Sequence, residues 1–232
     1  MSAPIGPAVF VGARLLDGRS TDAVEVAVLV TDEQGRIVAA GPAAAIAAPQ
    51  DAERIDASGL TLLPGIIDCH VHLTMGLEPL HDQVQRSSTD LVVRALQTGR
   101  EFLEAGVTSI RDAGYTPPAS SAPSPRERFG GLGLRSAADP WVPTASAVCT
   151  HPPSSLTCPN SGSDRWAIQA ATSEAARLLG LADQVGTLEA GKQADLIAVS
   201  GDPLAEPELW RDPARIVFVM QGGRIVADRR GA

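Results

Sequence analysis

An α/β chain with β-rich ends is the fold class that three features of this sequence predict. The first is a strand, helix, strand text running from Leu60 to Gly114. The second is the β-branched, alternating character of Ala8 to Gly59 and of the stretch after Val185. The third is the loss of any apolar period between Tyr115 and Ser163, which separates the ordered halves.

The elements follow in order. "AVFVGARLLDG" gives a strand and a turn, and "VEVAVLVTDEQGRIVAAG" gives two strands about Glu33-Gln34-Gly35. Leu60 to Asp68 is apolar and β-branched and reads as one buried strand with Pro64-Gly65 near its start. "SSTDLVVRALQTGREFLEAG" is helical, with Leu91, Val92, Ala95, Leu96, Phe102 and Leu103 on one face. Ser88 or Thr89 caps its start and Gly106 ends it. "VTSIRDAG" is the second strand, so a βαβ unit with parallel strands spans about 50 residues.

Tyr115 to Ser163 holds nine of the 18 prolines and nine serines, together with Cys149, Cys158 and His151. Such a composition buries too little surface to offset its ordering entropy, and it reads as irregular. "RWAIQAATSEAARLLG" is then a helix stopped by Gly180. "VGTLEAGKQADLIAVSGDPL" is turn, strand, turn, and "ARIVFVMQGGRIVAD" is a hairpin about Gly222-Gly223.

Composition excludes several classes of function. A net charge of −8 argues against nucleic acid or anionic membranes, and 3% aromatic residues leave no stacking platform for bases. No apolar stretch has the length of a membrane span, and "MSAPIGPAVF" lacks the basic and apolar regions of a leader. Three cysteines without a pairing pattern fit a reducing cytoplasm.

Two of the four histidines, His70 and His72, lie in "LLPGIIDCHVHL". Strand alternation puts Asp68, His70 and His72 on one face and Cys69 and Val71 on the other. Two neutral imidazoles two residues apart can share one divalent cation. The alternative is a pair of satisfied histidines where a strand meets a loop, and the motif by itself does not decide.

Context brings a family into view. "GLTLLPGIIDCHVHL", "EFLEAGVTSIRDAG" and "AATSEAARLLGLADQVGTLEAGKQADLIAVSGDPL" together resemble the amidohydrolase superfamily of metal-dependent hydrolases. The "GVTSIRDAG" wording leans toward its imidazolonepropionase-like and Xaa-Pro dipeptidase-like branch. The resemblance implies a (β/α)8 barrel plus a small β-sandwich built from both chain ends. It also implies hydrolysis of carbon–nitrogen bonds in a small-molecule substrate, and a divalent metal, zinc first. His70 and His72 match the family's first pair of metal ligands, at the C-terminal end of the first barrel strand. Lys192 and Asp195 match its "GKxAD" signature, whose role is an architectural turn. Asp112 either faces the same mouth or is a structural carboxylate paired with an arginine such as Arg111.

The family pattern also asks for a carboxylated lysine or a glutamate, two further histidines and a last-strand aspartate. Lys192 is the single lysine and belongs to the sandwich text. His81, His151 and Asp164 sit on no strand that would let them be matched, so no catalytic residue is assigned. A full barrel takes about 250 residues, whereas Leu60 to Arg165 supplies 106. The expected organisation is therefore half a sandwich over 1–59, a first βαβ over 60–114, an irregular Pro/Ser-rich segment over 115–164, and a final helix with the other half-sandwich over 165–232. Such a chain is a partial barrel remnant, truncated or catalytically defective, with Tyr115–Ser163 reading like out-of-frame text or a scrambled junction. A homo-oligomer or a complementing chain would supply what is missing. The competing expectation is a non-catalytic scaffold or interaction module.

Overall fold

A computed structural model describes residues 6–20, 22–76, 78–83, 85–113, 127–129, 132–136 and 163–231. The N-terminal part forms β1 (Ala8–Leu15), β2 (Val24–Thr31), β3 (Ile37–Pro42), β4 (Glu53–Asp56), β5 (Leu60–Pro64) and β6 (Ile66–Val71). There follow α1 (Leu80–Gln83), α2 (Ser88–Glu104), β7 (Val107–Asp112), β8 (Glu127–Phe129) and β9 (Leu132–Ser136). The C-terminal part adds α3 (Ser163–Ala170), α4 (Ser173–Leu178), β10 (Leu196–Ser200), β11 (Ile216–Gln221) and β12 (Arg224–Asp228).

Both chain ends build one eight-stranded sheet, ordered β12-β11-β10-β5-β1-β2-β3 with β4 paired to β1. The ends join where β10 runs antiparallel to β5, with Leu196 opposite Pro64 and Ser200 opposite Leu60. Side chains alternate between two apolar layers. Phe10, Leu29, Ile37, Leu62, Leu196, Phe218 and Met220 fill one, and Leu63, Ile197, Val199 and Val219 pack in another with Ile168 of α3. Burial on both faces is why these strands read as near-continuous apolar runs.

The sheet coils around its first layer. β1 and β11 are three strands apart, roughly 14 Å in a flat sheet, yet the Phe10 and Phe218 rings meet edge-on with centroids 5.5 Å apart. Its far edges also come together. Arg36 forms a β-bridge with Gln193, and the Ala194 amide donates to the Gly35 carbonyl at 2.9 Å. Gly35 and Gly223 touch so closely that a Cβ on Gly223 would lie 2.2 Å from the Gly35 Cα. Gly222 and Gly223 both take positive φ, 55° and 74°, as the two-residue turn between β11 and β12 demands.

A second sheet, β6-β7-β9-β8, holds the βαβ unit, with β6, β7 and β9 all parallel. Helix α2 buries Ala95, Gly99 and Leu103 beside it, while Val92 and Leu96, expected on the same buried face, are exposed. The cap lies one residue earlier than expected. Ser87 accepts from the Asp90 amide and Asp90 answers to the Ser87 amide, a reciprocal box.

Three further expectations need correction. The strand read as Leu60 to Asp68 is two strands in two sheets, so Leu60–Pro64 belongs with the terminal strands. The switch falls at Gly65, where a Cβ would lie 2.2 Å from the Thr108 hydroxyl oxygen. The final helix is broken between α3 and α4, because the Ala171 carbonyl accepts from the Ile67 amide of β6 at 2.8 Å. The segment expected to be irregular contributes β8 and β9, and β9 adds a third parallel strand. The sequence sets Gly130-Gly131 between those two strands, a pair that favours hairpin turns. The rest of that expectation, with Cys149, His151 and Cys158, lies outside the described residues.

Candidate metal site at the end of strand β6

Past Gly65, strand alternation sorts the side chains of β6 by environment. Ile67 packs among Ala175, Ala176, Leu179, Leu181 and Val185, and Cys69 lies against the same group. Val71 and Leu73 pack with Ala95, Leu103 and Ile110. The other parity, Asp68, His70 and His72, is turned away from these layers, and both histidines are exposed. Their rings stand edge to face with centroids 5.1 Å apart.

The surroundings fix this pair from both sides. Asp68 Oδ1 accepts from the His70 amide at 2.9 Å, so that carboxylate braces the strand end. The His72 carbonyl accepts from the Met75 amide at 3.2 Å, which starts the following turn. That turn is held to α2 by Glu78, which pairs with Arg86 at 2.5 Å and Arg94 at 3.3 Å, while Arg94 Nε donates to the Met75 carbonyl. Nothing in the local sequence pattern pointed to this clamp, because its partners come from separate elements.

The other weighed residues do not join the pair. Asp112 is buried at the end of β7, opposite Val71 in register. His81 is largely exposed on α1 and pairs with Asp82 at 2.8 Å. Asp164 lies in the first turn of α3, on no strand. Burial pushes the Cys69 thiol up, with Asp68 adding to the effect and Arg111 opposing it, so it stays protonated on the helix-facing side. Among the described residues no group of three or more His, Cys, Asp or Glu could hold a metal ion.

The "GKxAD" text is architectural in its contacts. Asp195 Oδ1 accepts from the Gly222 amide at 2.7 Å and so holds the β11–β12 turn. Lys192 donates to Thr187 and pairs with Glu189 at 3.0 Å, and its carbonyl accepts from Ile37 at 2.8 Å.

A coiled terminal sheet, a parallel βαβ unit and a paired His-x-His at its first strand end are features of one class of hydrolase. The chain belongs to the amidohydrolase family, whose profile matches residues 61–150 and 162–226. The match runs through residue 150, into the stretch that motif reading left unpatterned.

Among curated relatives, 100 residues are 34% identical to a 5-methylthioadenosine/S-adenosylhomocysteine deaminase of Desulforudis audaxviator, covering 36% of this chain and 23% of the relative. Fifty-five residues are 46% identical to an imidazolonepropionase of a Bradyrhizobium species, covering 23% and 14%. The matched stretches thus span less than a quarter of these relatives' length.

Among solved structures, a prolidase complexed with N-methylphosphonate-L-proline superposes with a TM-score of 0.70 at 17% identity, over 96% of this chain and 100% of that one. An adenosine deaminase from Xanthomonas campestris with bound zinc gives 0.64 at 13%, over 97% and 94%. At these identities the likeness is one of fold. The expected lean toward imidazolonepropionase-like sequences agrees with the curated relatives.

Members of this family are typically metal-dependent, and the geometry of the pair bears on that. Two imidazoles bound tetrahedrally to one zinc at 2.0–2.1 Å put their ring centroids roughly 5 Å apart. The observed 5.1 Å is a spacing that such a chelate shares with ordinary edge-to-face ring packing. Two neutral imidazoles are a donor type that a divalent metal accepts, and the described residues supply no further ligand grouped with His70 and His72.

Proposed function

We propose that this chain carries the metal-holding entry of a hydrolase that acts on carbon–nitrogen bonds of a small molecule. In this reading the β6-α2-β7 unit with β9 is a partial (β/α)8 barrel, and the coiled terminal sheet is the small β-sandwich. His70 and His72 hold the divalent metal, zinc first, because paired neutral imidazoles suit it. When bound, the metal supplies an acidified water and a polarised carbonyl. The chain's own residues do the positioning. Asp68 fixes the backbone at His70, and the Glu78 clamp fixes the turn after His72. Among the described residues no carboxylate is grouped with the pair as a base, and in this reading the chain alone is catalytically defective.

The observation that carries this reading is the adjacency of two exposed imidazoles at a parallel strand end, with no third ligand grouped among the described residues. Its partners are then small molecules in a cytoplasmic setting. Among the described residues no helix is long and apolar enough to cross a membrane.

The test joins elemental analysis of the purified chain with turnover on amide, lactam and dipeptide substrates. The expected result is weak zinc binding that disappears in His70→Ala/His72→Ala, with hydrolysis no faster than free metal in buffer. Stoichiometric tight metal with turnover abolished in the double variant would refute the defective half of the reading. No zinc binding at all would refute the metal half.

A further inference from the structure

Alternation sorts β7 as it sorts β6. Ile110 packs with Val71, Leu73, Ala95 and Leu103 in the α2 layer, so Ser109 and Arg111 take the other face of the sheet. That is the face to which His70 and His72 belong. Val71 stands opposite Asp112 in register, which sets Arg111 level with His70, one strand spacing of about 4.8 Å away. The register of β7 with β9 in turn sets Arg135 opposite Arg111. Three neighbouring parallel strands thus carry His70, Arg111 and Arg135 in a row, each in the last position but one of its strand. This row of basic residues stands in a chain whose net charge is −8.

The chemistry of a guanidinium narrows what Arg111 can do there. It has no lone pair to give a metal and keeps its proton, so it is neither a ligand nor a base. It would repel a cation held by the histidines unless an anion lay between them. Its fork of N–H donors suits a carboxylate, which takes two parallel hydrogen bonds. Arg111 is half-buried, and its Nε is out of water without a hydrogen-bond partner among the described residues. Asp68, the acid on that face of β6, turns Oδ1 to the His70 amide at 2.9 Å.

We propose that Arg111 is a specificity-determining residue of this site, holding the carboxylate of a small amide whose carbon–nitrogen bond lies at the histidine pair. The inference rests on the proposed function, and what it adds is the substrate class: amides that carry a carboxylate, in preference to their neutral counterparts.

The experiment titrates the full chain, in zinc-containing buffer, with N-acetylglycine and with N-acetylglycinamide, two probes that differ in the carboxylate alone. Binding is read by calorimetry, and zinc retention by equilibrium dialysis of the same samples. The acid should bind about tenfold tighter than its amide, as expected for hydrogen bonds to a charged partner. Arg111→Met should remove that preference without changing the affinity for the amide or the far-ultraviolet dichroism. Arg111→Lys keeps the charge without the fork and should keep part of the preference, which also serves as the readout if the methionine variant does not fold. Equal binding of acid and amide, no binding of either, or a preference untouched in both Arg111 variants would overturn the inference. So would a preference lost in Arg135→Met but kept in Arg111→Met. Zinc retained while acid and amide bind alike would overturn this inference and leave the metal reading intact. Acid preferred through Arg111 with no zinc retained would overturn the metal reading and leave the carboxylate site standing.

Discussion

Replacing Glu189 by glutamine should uncouple a charged latch between the two ends of the chain, with a signature in pH. The Glu189 carboxylate accepts from the Thr187 hydroxyl at 2.6 Å, lies 3.0 Å from Lys192 and accepts from Arg19 at 2.7 Å. The Thr187 hydrogen bond first, then those to Lys192 and Arg19, lower its pKa from 4.5 to about 2 against the opposing effect of burial. At 1.36 kcal/mol per pH unit this bounds the contribution at roughly 3 kcal/mol. The side chain is 33% exposed, and solvent screening brings the expectation to about 1 kcal/mol.

A carboxylate depressed in the folded state stabilises above its unfolded pKa and loses that contribution as pH falls toward the folded one. The window therefore runs from 4.5 down to about 2. Urea denaturation at pH 7 should place Glu189→Gln below the parent by roughly 0.5 M in midpoint, for a slope of about 2 kcal/mol per molar. More than half of that difference should be gone at pH 3. Equal differences at the two pH values, or a larger one in acid, would refute the assignment of the latch.

Two other outcomes follow from single contacts. Gly223→Ala places a Cβ 2.2 Å from the Gly35 Cα at a φ of 74°, and should cost on the order of 3 kcal/mol in thermal unfolding. A loss below about 0.5 kcal/mol would mean the sheet edges do not meet there. Arg94→Ala removes one arm of the Glu78 clamp and the bond to the Met75 carbonyl. Global stability should fall by no more than about 1 kcal/mol, while amide exchange over residues 75–83 rises. Unchanged exchange would show that Arg94 does not hold that turn.

How much of this was legible in the sequence depended on how local the determining interaction is. Gly222-Gly223 announced their hairpin because two positive φ values are a property of the turn itself. The alternation about His70 and His72 was legible because it is strand geometry, and burial follows it from His70 to Leu73, with both histidines exposed and Val71 and Leu73 buried. The break at Gly65 was not, since what forces it is Thr108, 43 positions away in β7. The interruption between α3 and α4 was likewise hidden, because the Ala171 carbonyl is claimed by Ile67 from a strand about a hundred residues earlier. Strand β9 was missed for a different reason. Proline and serine dominate the composition around it, whereas Leu132–Ser136 needs only backbone pairing to β7 to be ordered. For the candidate site, sequence carried the pair and its context, and the clamp through Glu78, Arg86 and Arg94 emerged only from the folded chain.

The central claim is that His70 and His72 act together as ligands of one metal ion. With only four histidines in the chain, nitrogen-15 spectra of the imidazole rings during a zinc titration test it most directly. The account predicts that the ring signals of His70 and His72 shift together as zinc is added, while those of His81 stay where they are. Ring signals of the pair that stay unmoved by zinc, or move one without the other, would contradict it.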